Sequence, residues 1–213
     1  MSNEKVDLNK ILKDSKETLL NPKSYFSSMS LTGGFTEPVV KVAIYGTIAG
    51  LFAFLWSLVG FSTVSGVAGI WGGAVGIMAL IWSIVGAIIG LFLGGVILLV
   101  LSAICGGSTD FEANLRVTAS LAVILPVQSF FSFFYAVNLT LGSVVWTIIG
   151  LYAIYLLYMG LKNALKGKSS VAGIVALVLV ILMVIGFFAG RRATKVMRDY
   201  TDEFEELRQE QLD

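Results

Sequence analysis

The sequence predicts an all-α integral membrane bundle with about five transmembrane helices. Three observations predict it. Apolar residues make up 56% of the 213 and charged residues only 14%, where a soluble domain carries about 25%; mean hydropathy is +0.86. From Val42 to Leu161 the only charges are Asp110, Glu112 and Arg116, all within "GGSTDFEANLR". The apolar runs on either side reach the roughly 20 residues that a helix needs to cross a hydrocarbon core about 30 Å thick. Such continuous runs are helices, whereas barrel strands are short and alternate.

Residues 1–36 form an amphipathic amino-terminal segment. Leu8, Ile11, Leu12 and Leu19 recur at three- and four-residue spacing, with Lys10, Lys13, Asp14, Lys16 and Glu17 around the remaining face, as an amphipathic helix requires. The stripe fits a membrane surface, a partner or the protein's own bundle, because periodicity does not say what it touches. Asn21 before Pro22 reads as a cap followed by proline in the first turn of a short second helix. Tyr25 and Phe26 suit headgroup-level anchoring. The segment is too long and too charged for a cleavable leader.

"TEPVVK" opens the first span, with Thr36 as cap, Glu37 at the positive helix end and Pro38 in the first turn. Spans are expected at about 42–61, 77–105, 113–135, 141–161 and 171–190, making residues 37–190 the bundle and 191–213 a charged helical tail. The glycine-rich "FSTVSGVAGIWGGAVG" is the first connection, since residues 42–105 have no room for a third span and its turns. Gly46 and Gly50 in the first span, and Gly86, Gly90 and Gly94 in the second, are spaced four apart. Such stripes let helices approach closely, either within the bundle or between copies in a homo-oligomer, and the first is favoured because glycine is common in membrane helices.

Gly106 and Gly107 end the second span. "TDFE" matches a capping box in which Thr109 and Glu112 satisfy each other's backbone donors. Asp110 and Glu112 suit the positive end of the third helix, and Arg116 follows Glu112 by four on an exposed turn. The charged stretch is thus a helix start at the membrane interface. Pro126 must break or kink the third span, and Gln128, Ser129 and Ser132 follow it. With Tyr155 of the fourth span they form a candidate intramembrane polar site. Tyr158 and Lys162 mark an interface. Val196, Tyr200, Phe204 and Leu207 keep helical spacing through the tail.

The single cysteine excludes an intrachain disulfide framework, and Cys105 reads as a small buried residue or a lipidation site rather than a nucleophile. With no histidine, a histidine triad, relay or metal ligand is excluded. No catalytic residue, cofactor or metal is expected. A net charge of +1 gives no reason to expect nucleic acid.

Three stretches, "ILKDSKETLLNPKSYF", "GGSTDFEANLRVTASLAVILP" and "YLLYMGLKNALKGKSSVAGI", resemble in order and spacing the Yip domain, the family of Ypt/Rab-interacting membrane proteins. The resemblance implies a five-span helical protein with a cytoplasmic amino terminus. Eukaryotic members resemble adaptors that bind prenylated small GTPases and one another; the short pre-membrane region and charged tail make this chain more similar to prokaryotic members. The family brings no catalytic residues. The reading is a non-enzymatic membrane scaffold or adaptor that binds a protein partner or organises the bilayer. Its rival is a small-solute transporter or channel working at Pro126, Gln128, Ser129, Ser132 and Tyr155.

Overall fold

Ten residues of apolar or small character, from Gly95 to Ile104, separate the last of the four-spaced glycines from the turn that ends the second span, and the chain reverses there as glycine permits. The computed structural model describes residues 8–61 and 72–210, with side chains for 8–61, 78 and 80–190. Within them, α1 (Leu8–Leu20) and α2 (Pro22–Ser28) precede α3 (Thr36–Leu58) and α4 (Gly72–Ile104). The third span is built of α5 (Phe111–Leu121), α6 (Ile124–Phe131) and α7 (Phe134–Val137), followed by α8 (Leu139–Met159) and α9 (Ser169–Glu210). Five segments are long and apolar enough to span a membrane: Thr36–Leu58, Leu80–Ile104, Phe111–Val137, Leu139–Ala164 and Ser169–Gly190. The protein is an all-α integral multi-pass membrane bundle, as expected. The expected first connection lies largely outside the described residues. The first span begins at Thr36 rather than near 42, which places Lys41 inside it.

Several helix starts differ from the expected chemistry. Asn21 does occupy the cap of α2, with Pro22 in the first turn, but its side chain makes no capping bond. Phe35, not Thr36, caps α3. The capping box at the third span is corrected by one residue: Asp110 is the cap, its carboxylate accepting from the Ala113 amide at 2.7 Å. Aspartate caps as well as threonine does, and Glu112 is drawn away to Arg116 and to the distant Gly34 amide, which removes the reciprocal bond that would have favoured Thr109.

Gly106 takes φ +67° and closes α4, with the Gly107 amide donating to the Ser102 carbonyl at 2.8 Å. The loop that follows pairs with the loop after α8: the Ser108 amide donates to Leu165 O at 2.7 Å, and the Lys168 amide to Cys105 O at 2.8 Å. The starts of α3, α5 and α9 therefore share one end of the bundle, which α1 and α2 cover. A core of Tyr25, Phe26, Leu98, Cys105, Val117, Leu161 and Leu165 fills that end. A second cluster around Tyr45, Val123, Ile149 and Leu156 lies farther along the spans. Helix α9 packs on α8 and the π-helical turn Gly160–Ala164, and its backbone continues helical to Glu210, as the spacing in the tail predicted.

Pro126 breaks the third span at the position its chemistry dictates. A proline clashes with the carbonyl four residues back, here Ala122, and α5 ends at Leu121. The bonds Val123 to Ser120 and Leu125 to Ala122 tighten to three-residue spacing across the junction. Consequently α5 packs against α4, whereas α6 leans onto α3 and α8.

Candidate functional site

At the covered end, α1 lies with one face down. Ile11 and Thr18 are buried, Ser15 shares a 2.7 Å hydrogen bond with Tyr45, and the Tyr152 hydroxyl donates to the Leu19 carbonyl. Two ion pairs fasten the helix to α3: Lys10 to Glu37 at 2.7 Å and Asp14 to Lys41 at 3.6 Å. The amphipathic stripe is therefore divided. Ile11, Pro22, Tyr25 and Phe26 are buried in the bundle, which corrects the expected outward anchor. Leu19 is half-buried against the second cluster. Leu8 and Leu12 stay 65% and 71% exposed, joined by Leu20, with Lys13 and Lys16 on the same side.

Beneath α1 is a charged junction. Lys41, 4% exposed, donates to the Tyr25 hydroxyl at 2.9 Å and to Ser120 Oγ at 3.2 Å. Ser120 gives its own hydrogen to the Arg116 carbonyl, so the 2.9 Å bond between Tyr25 and Ser120 runs from the phenol to the serine. That donation needs a neutral phenol, and burial pushes Tyr25 up to about 12. Arg116, 5% exposed rather than on an exposed turn, donates to Glu37 at 2.9 Å, to Glu112 at 3.1 Å and to Gly34 O at 2.9 Å. The Gly34 amide in turn donates to Glu112 at 2.6 Å. Tyr25, Glu37, Lys41, Arg116 and Ser120 line a pocket of about 300 Å³. Among the described residues no three histidine, cysteine or carboxylate side chains converge as a metal site would require. Every charge in the junction faces an opposite one, so it works as a clasp that orders α1, α3 and α5 together.

The sequence reading found Glu112 and Arg116 but missed Lys41, Asp14 and Ser120. The signal was present: a lysine inside a span is a functional residue by default. It was passed over because Lys41 closes "TEPVVK", and the membrane-crossing run was counted only from about residue 42.

The expected intramembrane site is only partly assembled. Gln128, Ser129 and Ser132 line a groove of about 1020 Å³ between α4 and the broken span, floored by Gly46, Ala49 and Ala53 of α3. Pro126 shapes the groove without lining it, and Tyr155 lies elsewhere, beside Leu20 and Pro22. Ser129 donates to the Ala49 carbonyl and Ser132 to the Ser129 carbonyl, whereas the Gln128 side chain has no hydrogen-bond partner among the described residues.

The glycine stripes also separate by role. A Cβ on Gly46 would meet Ala87 Cβ and Ser83 O at 2.9 Å, and Gly50 lies as close to α4. On Gly94 it would meet Thr118 at 2.9 Å, while Gly86 and Gly90 face open space at the groove. Tyr158 and Lys162 do pair, at 3.4 Å. Cys105 is fully buried and packs in the core at the covered end, the place of a small buried residue.

A family model described as the Yip1 domain matches residues 16–190. No curated protein and no solved structure matches the chain.

Proposed function

The chain belongs to the Yip1 domain family, and on that premise we propose that it is a non-enzymatic membrane adaptor that displays α1 to a protein partner. The observation that carries this reading is the division of α1. Its inner face is fixed by Asp14, Ser15, Thr18 and the Lys10 to Glu37 pair, while Leu8, Leu12 and Leu20 face outward beside Lys13 and Lys16. A helix held in one orientation binds without first being ordered, which lowers the cost of recognition. The adaptor reading takes the amino terminus as cytoplasmic, the orientation that the family resemblance implies. A small GTPase, the partner class implied by resemblance to eukaryotic members, is the first to test.

Removing residues 1–30 would expose Lys41 and the core around Phe26, so it would confound binding with folding. The cleaner variant is Leu8→Ser, Leu12→Ser and Leu20→Ser together, which leaves the inner face intact. Cross-linking in native membranes is expected to recover a defined protein with the parent chain and to lose it with the triple variant. Undiminished capture by the triple variant would overturn the adaptor reading; recovery of lipid adducts alone would move α1 to the bilayer surface.

A further inference from the structure

The groove beside Pro126 is built over one half of the membrane only. On α4 it runs from Trp82 through Gly86 and Ala87 to Gly90 and Leu91. Beyond that point α4 and α5 close on each other, since Gly94 meets Thr118 and Gly95 meets Leu115, each with 2.9 Å available to a Cβ. A transmembrane helix from a second copy would need a path across the whole core, about 30 Å, and would have to leave the groove halfway. A lipid in a single leaflet would not.

The polar end of the groove lies toward the end of the third span remote from α1. Gln128 is about 25 Å along the third span from Phe111, at 1.5 Å per residue, and so near the membrane face remote from α1. Aromatic residues gather at that level: Trp82, Tyr135 and Trp146 line the groove, and Trp56 donates to the Ser129 and Phe130 carbonyls at 3.1 Å. Tryptophan and tyrosine concentrate at the membrane interface. From there Leu125, Ala122, Leu121 and Leu91 lead toward the bilayer centre with no charge among them. Gln128, half-buried and with its side-chain amide unpartnered among the described residues, sits at the mouth of this apolar channel. An unpaired amide in a low-dielectric setting is costly until it finds a partner.

We propose that the groove is a binding site for one glycerophospholipid of the leaflet remote from α1, with its acyl chain along α4 and α5 and an ester oxygen accepting from the Gln128 amide. The volume, about 1020 Å³, is at the upper end of ordinary ligand sites, roughly 300–1,000 Å³. The break at Pro126 holds the site open by turning α6 away from α4.

The test uses the full chain in nanodiscs that contain phosphatidylcholine with a photoactivatable diazirine on one acyl chain, present as a minor component. Adducts mapped by mass spectrometry are expected to concentrate on Leu91, Leu121 and Leu125, exceeding those on the outward Leu177 and Ile181 of α9. Gln128→Leu should lower groove labelling by about fivefold, the loss of one intramembrane hydrogen bond. Gly86→Leu with Gly90→Leu should abolish it by filling space that is open, and Gly186→Leu on α9, equally unobstructed, should leave it unchanged. Equal labelling of the groove and the α9 face, or no effect of either groove variant, would overturn the proposal. So would cross-links in the groove to a second copy of the chain.

Discussion

Arg116 joins three parts of the chain through one guanidinium. Its planar fork reaches Glu37 on α3, Glu112 one turn earlier on α5, and the Gly34 carbonyl ahead of α3. Lysine would supply the charge without that geometry. Arg116→Ala removes the cation that Glu37 and Glu112 share, leaving Glu37 to Lys10 and Glu112 to the Gly34 amide; with both carboxylates about a quarter exposed, the cost falls below the roughly 3–5 kcal/mol of breaking a fully buried pair. Thermal unfolding in detergent is expected to rank the parent chain above Arg116→Lys and that above Arg116→Ala; equal midpoints for all three would show that the clasp does not stabilise the fold. The sequence disclosed half of this residue's role. Glu112 at four-residue spacing is a local pattern and was legible, whereas Glu37 and Gly34 are far away in the chain, and nothing in a local pattern announces such contacts.

Elements were legible where a single residue type forces the geometry. Pro126 had to interrupt its helix, and Gly106 had to end one; both did so. The glycine stripes were legible as close-packing signals, but not which glycine touches what, because identical spacing serves a helix contact at Gly46 and an open groove at Gly86. That difference is measurable. Gly46→Val must drive α3 away from the α4 backbone, where Ser83 O stands 2.9 Å from a Cβ, and overpacking of this kind costs about 1–3 kcal/mol. Gly86→Val meets nothing within 4 Å and should leave the unfolding midpoint within error of the parent. Equal destabilisation by both would mean that α4 packs against something at Gly86 as well. The N-terminal stripe stayed open for a related reason: an amphipathic period identifies a helix but not which of its residues the bundle claims, and half-buried Ser15 and buried Thr18 carry the inner face together with Ile11.

At the scale of the whole molecule, five spans place the two termini on opposite sides of the membrane. Three contacts bind the same end of the bundle together: Gly34 to Arg116, Ser108 to Leu165, and Lys168 to Cys105. They require α3, α5 and α9 to start on one side, and hence α9 to finish on the other. Charge counts gave a weaker answer, because Arg191, Arg192, Lys195, Arg198 and Arg208 all follow the last span and compete with the lysines before the first. Close loop contacts fix relative sidedness, and the positive-inside bias fixes only which side is cytoplasmic. A reporter active only in the cytoplasm, fused ahead of Met1 or after Asp213, separates the two arguments. Activity at the amino terminus alone is the expected result. Activity at the carboxyl terminus alone would keep five spans and reverse the orientation, so that α1 would face away from any cytoplasmic partner and the adaptor reading would lose its setting. Activity at both ends would require an even number of crossings, incompatible with the shared end that these loop contacts define.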